Sequence, residues 1–513
     1  MSNVYYNQLK ALCDAEDWSG ALKMWSAADA QNQLNPVYIF SGMQIAAALW
    51  RPDIQQQACA KLLEMTIPPQ ALLQVLQTAA DYYQYDTIRT LIRYALDNNC
   101  YDQTTIFPMV SLASRFNAID LAVQCNVKAE ELGLDAATIS YNQATIALFT
   151  GAKDQCEKSL KTCLSLNPKL VDAHYSLANL KTWSTTDNHI KALKSLLPTT
   201  SETTQKAQLY YAIAKEYEDC ARFDEAFEAM QAGAKIVKQA TGYDVKTDKH
   251  FLQAIESNYP LAKQATKIDS NCTPLFICGL PRTGSTLFEK MLAQHSKINS
   301  AGELTQFAAL FMRRANKQFA NQQLSISAMV EASTQLDYES LGRDYLYSLD
   351  PQLTQTQYMI DKMPQNSLFV GPILSALPQS KIILVERHPL DACVAMYKQI
   401  FNGIYDFSYD LNDLGVYVSQ MRQLMKHWQN SYPDNVFVIH YEDLVSNTEQ
   451  TLQATCRFLD IDFETACLNY HRSSDVSTTA SAAQIRQKVY SSSIGKWQAY
   501  EKHLTVLKNY FPQ

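Results

Sequence analysis

The first half of the chain has the hydrophobic periodicity of helices. From the start to about residue 265, apolar residues recur at three- and four-residue spacing, in segments separated by short polar turns. One such turn runs from Asp14 to Trp18. A spacing of three and four residues places apolar side chains on one face of a helix. The pattern therefore predicts an all-α array over residues 1–265.

A repeat is clearest between residues 135 and 235. Ala178 follows Ala144 by 34 residues, and small residues also stand at Ala214 and Gly233. Small side chains let paired helices approach closely, and a fixed period means that each pair buries its apolar face against its neighbours. The stretch resembles tetratricopeptide repeats, which usually bind peptides or other subunits. Whether this array binds substrate, binds a partner or only braces the rest of the chain stays open.

After about residue 270 the pattern changes to short apolar runs rich in β-branched residues, alternating with helical stretches. This alternation indicates a parallel sheet with crossover helices, and residues 304–355 predict helices inserted between the first strands. The expected strands are Pro274–Cys278, Tyr358–Asp361, Lys381–Glu386 and Val436–His440. The predicted fold class is thus α plus α/β. A tetratricopeptide-like array, residues 1–265, precedes a three-layer, P-loop-like α/β domain with a central parallel sheet, residues 270–513.

Composition narrows the class of protein. Hydrophobic residues make up 47% of the chain and charged residues 19%, which is enough apolar material for packed domains. The net charge of −7 argues against nucleic-acid binding, because that needs a basic face to displace counterions. No charged segment followed by an apolar run stands at the N-terminus, and no apolar stretch reaches membrane length. The sequence therefore predicts a cytoplasmic protein without a transmembrane segment.

The cysteines and other metal-binding residue types show no ligand pattern. The chain has 12 cysteines, scattered singly and without paired CxxC spacing. No His, Asp or Glu cluster has metal-ligand spacing either. We expect reduced, buried cysteines and no bound metal.

The most distinctive stretch is residues 274–289, where an apolar strand leads into a loop bounded by Gly279 and Gly284 and then into a helix. The spacing of the two glycines matches the phosphate-binding loop of nucleotide-binding proteins. Where an ATP- or GTP-binding loop has Lys followed by Ser or Thr, this chain has Ser285 and Thr286. A P-loop nucleotide kinase or NTPase is therefore an alternative that lacks its usual lysine.

Two arginines indicate an anionic ligand that is held at two places. Arg282 is the only cation of the loop. Arg387 directly follows an apolar strand, and Pro389 suits the first turn of the next helix. A guanidinium at a strand exit can hold a phosphate through two hydrogen bonds. Together the two motifs predict one nucleotide bound at both of its anionic ends.

The two motifs resemble the sulfotransferase family, whose donor is 3′-phosphoadenylyl sulfate. They are most similar to the branch with protein-tyrosine sulfotransferases and bacterial tetratricopeptide-repeat sulfotransferases. The resemblance covers about residues 270–500. It implies that the loop binds the 5′-phosphosulfate of the donor and that Arg387 holds the 3′-phosphate. The loop residues with this role are Arg282, Thr283, Gly284, Ser285 and Thr286.

Further segments match the family in the expected order. The resemblance implies that Glu303 removes the proton of the acceptor hydroxyl as general base. Lys362 and Arg282 would stabilise charge on the transferring sulfonate and its leaving oxygen, with Ser481 as a second stabiliser. The other implied donor contacts are Tyr441, Ser481, Arg486, Tyr490 and Lys496.

The chain departs from the family eight residues after Arg387. A serine that contacts the 3′-phosphate is usual there, and this chain has Ala395. Losing a hydrogen bond to a charged group costs about 1.5–3 kcal/mol. Lys398 lies three residues further on the same helical face, and our hypothesis is that it contacts the 3′-phosphate instead.

The resemblance implies a metal-independent enzyme that moves a sulfonate group from 3′-phosphoadenylyl sulfate to an acceptor hydroxyl and releases 3′-phosphoadenosine 5′-phosphate. A peptide or protein tyrosine is the favoured acceptor, and its recruitment by the repeat array stays open. A glycan or a small molecule stays open, and so does a homodimer. The second alternative is a catalytically inactive repeat scaffold, and Ala395 is the feature that supports it.

Overall fold

A computed structural model represents the 513-residue chain. It describes residues 2–15, 17–28, 36–49, 51–81, 85–261, 265–268, 270–319, 324–349, 353–401, 403–472 and 492–512. These residues form two compact units, one up to residue 173 and the other from His174 onward. Within the described ranges, no helix is both long enough and apolar enough to span a membrane.

The first unit is helical, as the periodicity predicts. Consecutive helices pack on each other around one apolar core that extends from Tyr6 to Ile146. Asp17 begins the second helix by accepting a hydrogen bond from the backbone N–H of Gly20 at 3.1 Å. The helices are α1 Ser2–Asp14, α2 Trp18–Ser26, α3 Pro36–Leu49, α4 Pro52–Leu63, α5 Pro69–Asp81, α6 Tyr85–Asp97, α7 Ile106–Arg115, α8 Ile119–Glu131, α9 Ala136–Thr150 and α10 Lys153–Leu166.

Helical structure continues along the chain. The next helices are α11 Val171–Leu180, α12 Ile190–Leu196, α13 Thr203–Asp219, α14 Phe223–Thr241 and α15 Val245–Asn258. Helices α13 and α14 pack closely, and a Cβ at Gly233 would lie 3.0 Å from the ring of Tyr211. A small residue is needed at this contact, which is the close helix approach that the repeat pattern predicts.

A five-stranded parallel sheet with the order β2-β3-β1-β4-β5 lies at the centre of the second unit. The strands are β1 Thr273–Gly279, β2 Ile298–Ser300, β3 Tyr358–Lys362, β4 Lys381–Glu386 and β5 Val436–His440. The parallel sheet and its four predicted strands are confirmed. The edge strand β2 was not predicted, because three residues are too few to show a period of two.

Both faces of the sheet are covered. Leu275 and Ile277 of β1 pack on one face with Phe288 of the helix that follows the loop. Phe276, which lies between them in sequence, points to the other face and packs on Phe307 and Tyr345. The helices of this region are α16 Ser285–Leu292, α17 Gln306–Phe319, α18 Ile326–Ser333, α19 Tyr338–Ser348, α20 Val370–Ala376, α21 Pro389–Tyr397, α22 Leu411–Ser431, α23 Tyr441–Ser446, α24 Thr448–Phe458 and α25 Thr505–Lys508. Short 3₁₀ helices lie at Leu353–Gln355, Pro364–Leu368, Asp406–Tyr409, Thr465–Arg472 and Lys496–His503.

Helix α14 packs on the C-terminal part of the chain within the second unit. The ring of Phe227 stacks on His503 at 4.3 Å and lies 5.8 Å from Tyr397, while Asp224 pairs with Lys502 at 2.6 Å. Helices α12–α15 therefore share a compact unit with the sheet. The change from helices to strands falls near residues 265–270, and its role as a domain boundary stays a prediction.

All 12 cysteines are free thiols, and all except Cys220 are buried. The burial predicted from their scattered positions is confirmed. In the part of the chain that the structure describes, no group of three or more His, Cys, Asp or Glu residues is arranged to hold a metal ion.

The contact between α14 and the C-terminal segment predicts a stability effect. Phe227 is buried, so Phe227→Ala should lower the free energy of unfolding by about 3–5 kcal/mol, because it opens a cavity against Tyr397 and His503. Urea denaturation followed by fluorescence measures this change. Val506→Ala, at a side chain that is 41% exposed, serves as the control and should change stability by less than about 0.5 kcal/mol. Equal effects of the two substitutions would contradict the packing argument.

Candidate functional site

The loop from Gly279 to Gly284 lies at the carboxyl end of β1 and has the backbone of a phosphate-binding loop. Gly279 has φ +147°, and a Cβ there would lie 2.5 Å from the carbonyl oxygen of Val385 on the neighbouring strand β4. Gly284 has φ +95°, and a Cβ there would lie 2.5 Å from the ring of Tyr441. Neither position has room for a side chain. The two glycines therefore keep the loop close to β4 and to α23.

The other loop residues are held in different environments. Arg282 has φ +65°, which is uncommon for a residue with a side chain. Thr283 is buried and donates its hydroxyl hydrogen bond to the carbonyl of Leu280 at 2.8 Å, so it fixes the loop from within. Ser285 is buried and begins α16, with Thr286 half-buried beside it. The backbone N–H groups at the start of this helix face the loop, where they favour an anion.

Arg387 connects the loop to the C-terminal segment. It follows β4, and its Nη1 and Nη2 donate to the carbonyls of Arg282 at 3.1 Å and Ser493 at 2.6 Å. Its guanidinium lies over the ring of Tyr441 at 4.7 Å, a cation–π distance. The Nε of Arg387 is buried without a hydrogen-bond acceptor among the described residues. A buried donor without an acceptor is costly, and a bound anion would satisfy it.

Lys398 feels the charges of Arg282 and Lys496 and is paired with a carboxylate. Burial lowers the pKa of Lys398, and the charges of Lys496 and Arg282 act in the same direction, while Glu218 of α13 opposes them. Glu218 pairs with Lys398 at 2.5 Å and accepts a hydrogen bond from Tyr500 at 2.6 Å. Burial alone would raise the pKa of Glu218, but Lys398, Tyr500 and Lys496 outweigh it and the pKa is lowered. Lys398 is thus already partnered by a carboxylate from the helical region.

Asp391 holds the C-terminal segment beside the loop. Its carboxylate accepts hydrogen bonds from the backbone N–H groups of Gly495 at 2.7 Å and Trp497 at 3.0 Å. The ring of Trp497 stacks on His388 at 5.7 Å, and the N–H of His388 donates to Glu442 at 2.9 Å. The predicted donor residues Ser481, Arg486 and Tyr490 precede this segment and lie outside the described residues.

Lys362 and Glu303 meet at the carboxyl end of β3. The ammonium of Lys362 pairs with Glu303 and lies 3.8 Å from a carboxylate oxygen of Glu289 on α16. The Lys362 side chain is only 1% exposed, whereas that of Glu303 is 45% exposed. A buried ammonium needs carboxylate partners, because taking it out of water costs several kcal/mol. This corner therefore combines a fixed buried cation with a carboxylate that solvent and a ligand can reach.

Asp361, next to Lys362, is fully buried. Tyr345 donates to its carboxylate at 2.8 Å and Asn366 at 3.1 Å. Burial raises the pKa of Asp361 to about 7, and the hydrogen bonds from Tyr345 and Asn366 oppose this rise. The network anchors the end of β3 from which Lys362 projects.

The fold brings these predicted residues to one edge of the sheet. β1 pairs with both β3 and β4, so the loop lies between the strand that ends in Lys362 and the strand that precedes Arg387. Ligands of such sheets bind at the carboxyl ends of the strands. Sequence reasoning missed Glu289 and Glu218. Glu289 is a mid-helix residue without a motif of its own, and Glu218 lies far from the site in sequence.

Comparison with known proteins gives a family match for part of the chain. Residues 274–465 match the model of the sulfotransferase family. A protein of Aquifex aeolicus described only as uncharacterized is 28% identical over 365 residues, 69% of this chain and 47% of that protein. This chain thus spans about half the length of that relative. A putative protein-tyrosine sulfotransferase of Caenorhabditis briggsae is 23% identical over 234 residues, 44% of this chain and 80% of that protein.

Two solved structures are also similar. The sulfotransferase domain from the Synechococcus PCC 7002 olefin synthase is 22% identical with a TM-score of 0.34, over 46% of this chain and 91% of that one. The sulfotransferase domain from the curacin biosynthetic pathway is 21% identical with a TM-score of 0.31, over 42% and 83%. The family match starts at β1 and includes the loop, Glu303, Lys362 and Arg387. Residues 274–465 are therefore similar to the sulfotransferase family, as the motifs of this segment predict.

The close contact at Gly284 predicts that a side chain there lowers the stability of the fold. Gly284→Ala should lower the free energy of unfolding more than Gly242→Ala does, because only Gly284 faces a ring at 2.5 Å. Gly242 is the matched control, since it also has positive φ, +61°, but has open space around it. Alanine at positive φ costs about 1–2 kcal/mol at either site. Denaturant unfolding of the two variants measures the difference, and equal costs would contradict the steric account.

The raised pKa of Asp361 predicts a pH-dependent stability. An acid whose pKa is higher in the folded state contributes stability that is complete below about pH 4 and lost as the pH rises to about 7. Asp361→Asn removes this dependence. As the pH rises from 4 to 7, the free energy of unfolding of the variant should therefore rise relative to that of wild type by up to about 4 kcal/mol. Unfolding free energies measured across this range test the prediction.

Glu464→Gln is the control for the sign of this effect. Hydrogen bonds from Ser296 lower the pKa of Glu464, so its contribution is present at high pH and lost as the pH falls. The stability difference between Glu464→Gln and wild type should therefore change with pH in the opposite direction. A difference for Asp361→Asn that does not change with pH would contradict a buried, proton-binding carboxyl at this position.

Proposed function

We propose that the chain transfers a sulfonate group from 3′-phosphoadenylyl sulfate to an acceptor hydroxyl. The observation that carries this proposal is the pairing of buried Lys362 with half-exposed Glu303 beside a loop that lacks the P-loop lysine. The match of residues 274–465 to the sulfotransferase family model supports the reaction class. The missing lysine disfavours a nucleotide kinase or NTPase, because in those proteins the lysine after the second glycine of the loop contacts the β- and γ-phosphates.

The donor would bind along the carboxyl edge of the sheet. The loop residues Arg282, Thr283, Gly284, Ser285 and Thr286 would surround its 5′-phosphosulfate through the backbone N–H groups at the start of α16. Arg387 would hold the 3′-phosphate, and its buried Nε, which has no acceptor among the described residues, supports an anion there. Tyr441 would stay as the packing surface for the loop and for the guanidinium.

Lys398 and Lys496 would add positive charge near the same end of the donor. The charges of Lys496 and Arg282 both contribute to lowering the pKa of Lys398, which supports this placement. Because Glu218 pairs with Lys398, the lysine would compensate for Ala395 only by turning from the carboxylate to the phosphate. Its contact with the 3′-phosphate stays a prediction, as do the contacts of Ser481, Arg486 and Tyr490.

The reaction would be an in-line displacement at sulfur. The acceptor oxygen forms a bond to sulfur while the bond between sulfur and the bridging phosphate oxygen breaks, and the electron pair leaves with 3′-phosphoadenosine 5′-phosphate. Glu303 takes the proton of the acceptor hydroxyl, and its 45% exposure leaves it accessible to that hydroxyl. Lys362 and Arg282 offset the charge that develops on the sulfonate and on the leaving oxygen. These cations offset the charge without a metal ion.

The favoured acceptor is a tyrosine hydroxyl of a peptide or protein. The name of the Caenorhabditis briggsae relative, a putative protein-tyrosine sulfotransferase, supports this choice. Helical repeats often bind peptides, so we propose that the N-terminal array recruits the acceptor. A glycan or small-molecule hydroxyl is the alternative that an acceptor screen with labelled donor would reveal. The cytoplasmic location and the homodimer stay predictions.

Donor binding is the direct test. We expect calorimetric titration to show metal-independent binding of 3′-phosphoadenosine 5′-phosphate in preference to ATP or GTP with magnesium. Arg387→Ala should weaken this binding by tenfold or more, since a hydrogen-bonded charge contact contributes about 1.5–3 kcal/mol. Arg343→Ala is the matched control, because Arg343 pairs with Glu339 on the exposed side of α19. It should bind the bisphosphate as wild type does.

The outcomes separate the alternatives. Preference for a nucleoside triphosphate would overturn the sulfotransferase proposal in favour of a kinase or NTPase. Absence of binding to all three ligands by the folded wild-type protein would favour an inactive scaffold. Thermal unfolding of each variant shows whether a lost affinity reflects the site or the loss of the fold, because Arg387 also bonds the carbonyls of Arg282 and Ser493.

A further inference from the structure

Glu289 contacts the Lys362 of the Lys362–Glu303 pair; it ends the distinctive stretch 274–289, but the sequence assigned it no role in the reaction. It is placed by α16, the helix that starts at the phosphate-binding loop, and it is 3% exposed. One carboxylate oxygen lies 3.8 Å from the ammonium of Lys362. The other accepts a hydrogen bond from the hydroxyl of Ser300 at 2.7 Å. A single buried carboxylate thus contacts both β3 and the end of β2.

The contact with Ser300 continues to the turn that carries Glu303. The hydroxyl oxygen of Ser300 accepts a hydrogen bond from the backbone N–H of Gly302 at 3.1 Å. Gly302 has φ +69°, and its carbonyl accepts from the backbone N–H of Lys362 at 2.8 Å. The contacts therefore form a closed ring through Glu289, Ser300, Gly302 and Lys362. Glu303 directly follows Gly302, so the ring fixes the backbone position from which Glu303 starts.

The two carboxylates that face Lys362 differ in exposure, which suggests different tasks. The side chain of Glu303 is 45% exposed and that of Glu289 only 4%. If Glu303 turns to an acceptor hydroxyl to take its proton, it gives up part of its pairing with Lys362. Without Glu289, the buried ammonium of Lys362 would then lack the counter-charge that it needs. Glu289, whose carboxylate lies 3.8 Å from the ammonium, supplies that charge.

We propose that Glu289 is a positioning residue for sulfonate transfer: it holds the ammonium of Lys362 and, through Ser300, the Gly302–Glu303 turn in the geometry that the reaction needs. This inference rests on the proposed function. It does not place Glu289 in contact with the donor or the acceptor. Glu289 acts through Lys362 and Glu303. Removing its carboxylate should therefore slow the transfer step more than it weakens donor binding.

The test compares isosteric substitutions in the full-length chain. Glu289→Gln should lower the rate of transfer from labelled donor by about ten- to a hundredfold, because small displacements of reacting groups have effects of this size. Its affinity for 3′-phosphoadenosine 5′-phosphate should stay close to that of wild type. Glu289→Asp keeps the charge and should recover part of the rate. The acceptor for this assay is the one that the screen with labelled donor identifies.

Glu464→Gln is the matched control. Glu464 also accepts hydrogen bonds from a serine, from the hydroxyl of Ser296 at 2.5 Å and its N–H at 2.9 Å, but it pairs with His295 rather than with Lys362. It should leave the transfer rate unchanged. Ser300→Ala is the second variant, for the case that Glu289→Gln destabilises the fold. It breaks the same ring without removing a charge. It should also lower the rate without a matching loss of donor affinity.

A readout without any acceptor keeps this inference separate from the proposed function. Brief acetylation with acetic anhydride, followed by mass spectrometry, measures how accessible Lys362 is. In wild type the 1%-exposed lysine should be labelled slowly, and Glu289→Gln should raise its labelling severalfold, whereas Glu464→Gln should not. Equal labelling and equal transfer rates in Glu289→Gln and wild type would overturn the positioning role. Raised labelling in a protein that binds no bisphosphate would support the positioning of Lys362 and overturn only the proposed function.

Discussion

The buried ammonium of Lys362 is the constraint on which the site depends. An ion of this kind is tolerated in a protein interior only when carboxylates and hydrogen bonds surround it. Here the two carboxylates come from separate segments, Glu289 from α16 and Glu303 from the turn after β2. They converge because β3 lies between β2 and β1 in the sheet. The ammonium of Lys362 on β3 thus contacts both the helix that follows the loop and the candidate base.

A second set of contacts joins the loop to the C-terminal segment. Arg387 bonds the carbonyls of Arg282 and Ser493, and Asp391 accepts from the backbone of the C-terminal segment. Glu218 of α13 adds a bond to Lys398 and another to Tyr500. The proposed 3′-phosphate end of the donor site is therefore built from β4, the C-terminus and a helix of the N-terminal half. This explains why α12–α15 share a compact unit with the sheet.

Local pattern was sufficient for much of the fold. β4 and β5 have the predicted bounds, and β1 and β3 extend the predicted strands by one or two residues, because buried parallel strands form continuous apolar runs. Pro389 begins α21, as its fixed φ favours. The short edge strand β2 has too few residues for a period. Glu289 is a charged residue within an ordinary amphipathic helix, and only its burial against Lys362 reveals its importance.

The sequence by itself determined the helical first half, the parallel strands, the glycine-bounded loop and the sulfotransferase resemblance. These features depend on residues that are near one another in the chain, where periodicity, backbone freedom and motif spacing operate. Only the tertiary structure decided which charges meet. It paired Lys362 with Glu303 and Glu289, and it paired Lys398 with Glu218, 180 residues away. Ion pairs depend on distance in space and on burial, and neither quantity follows from spacing along the chain.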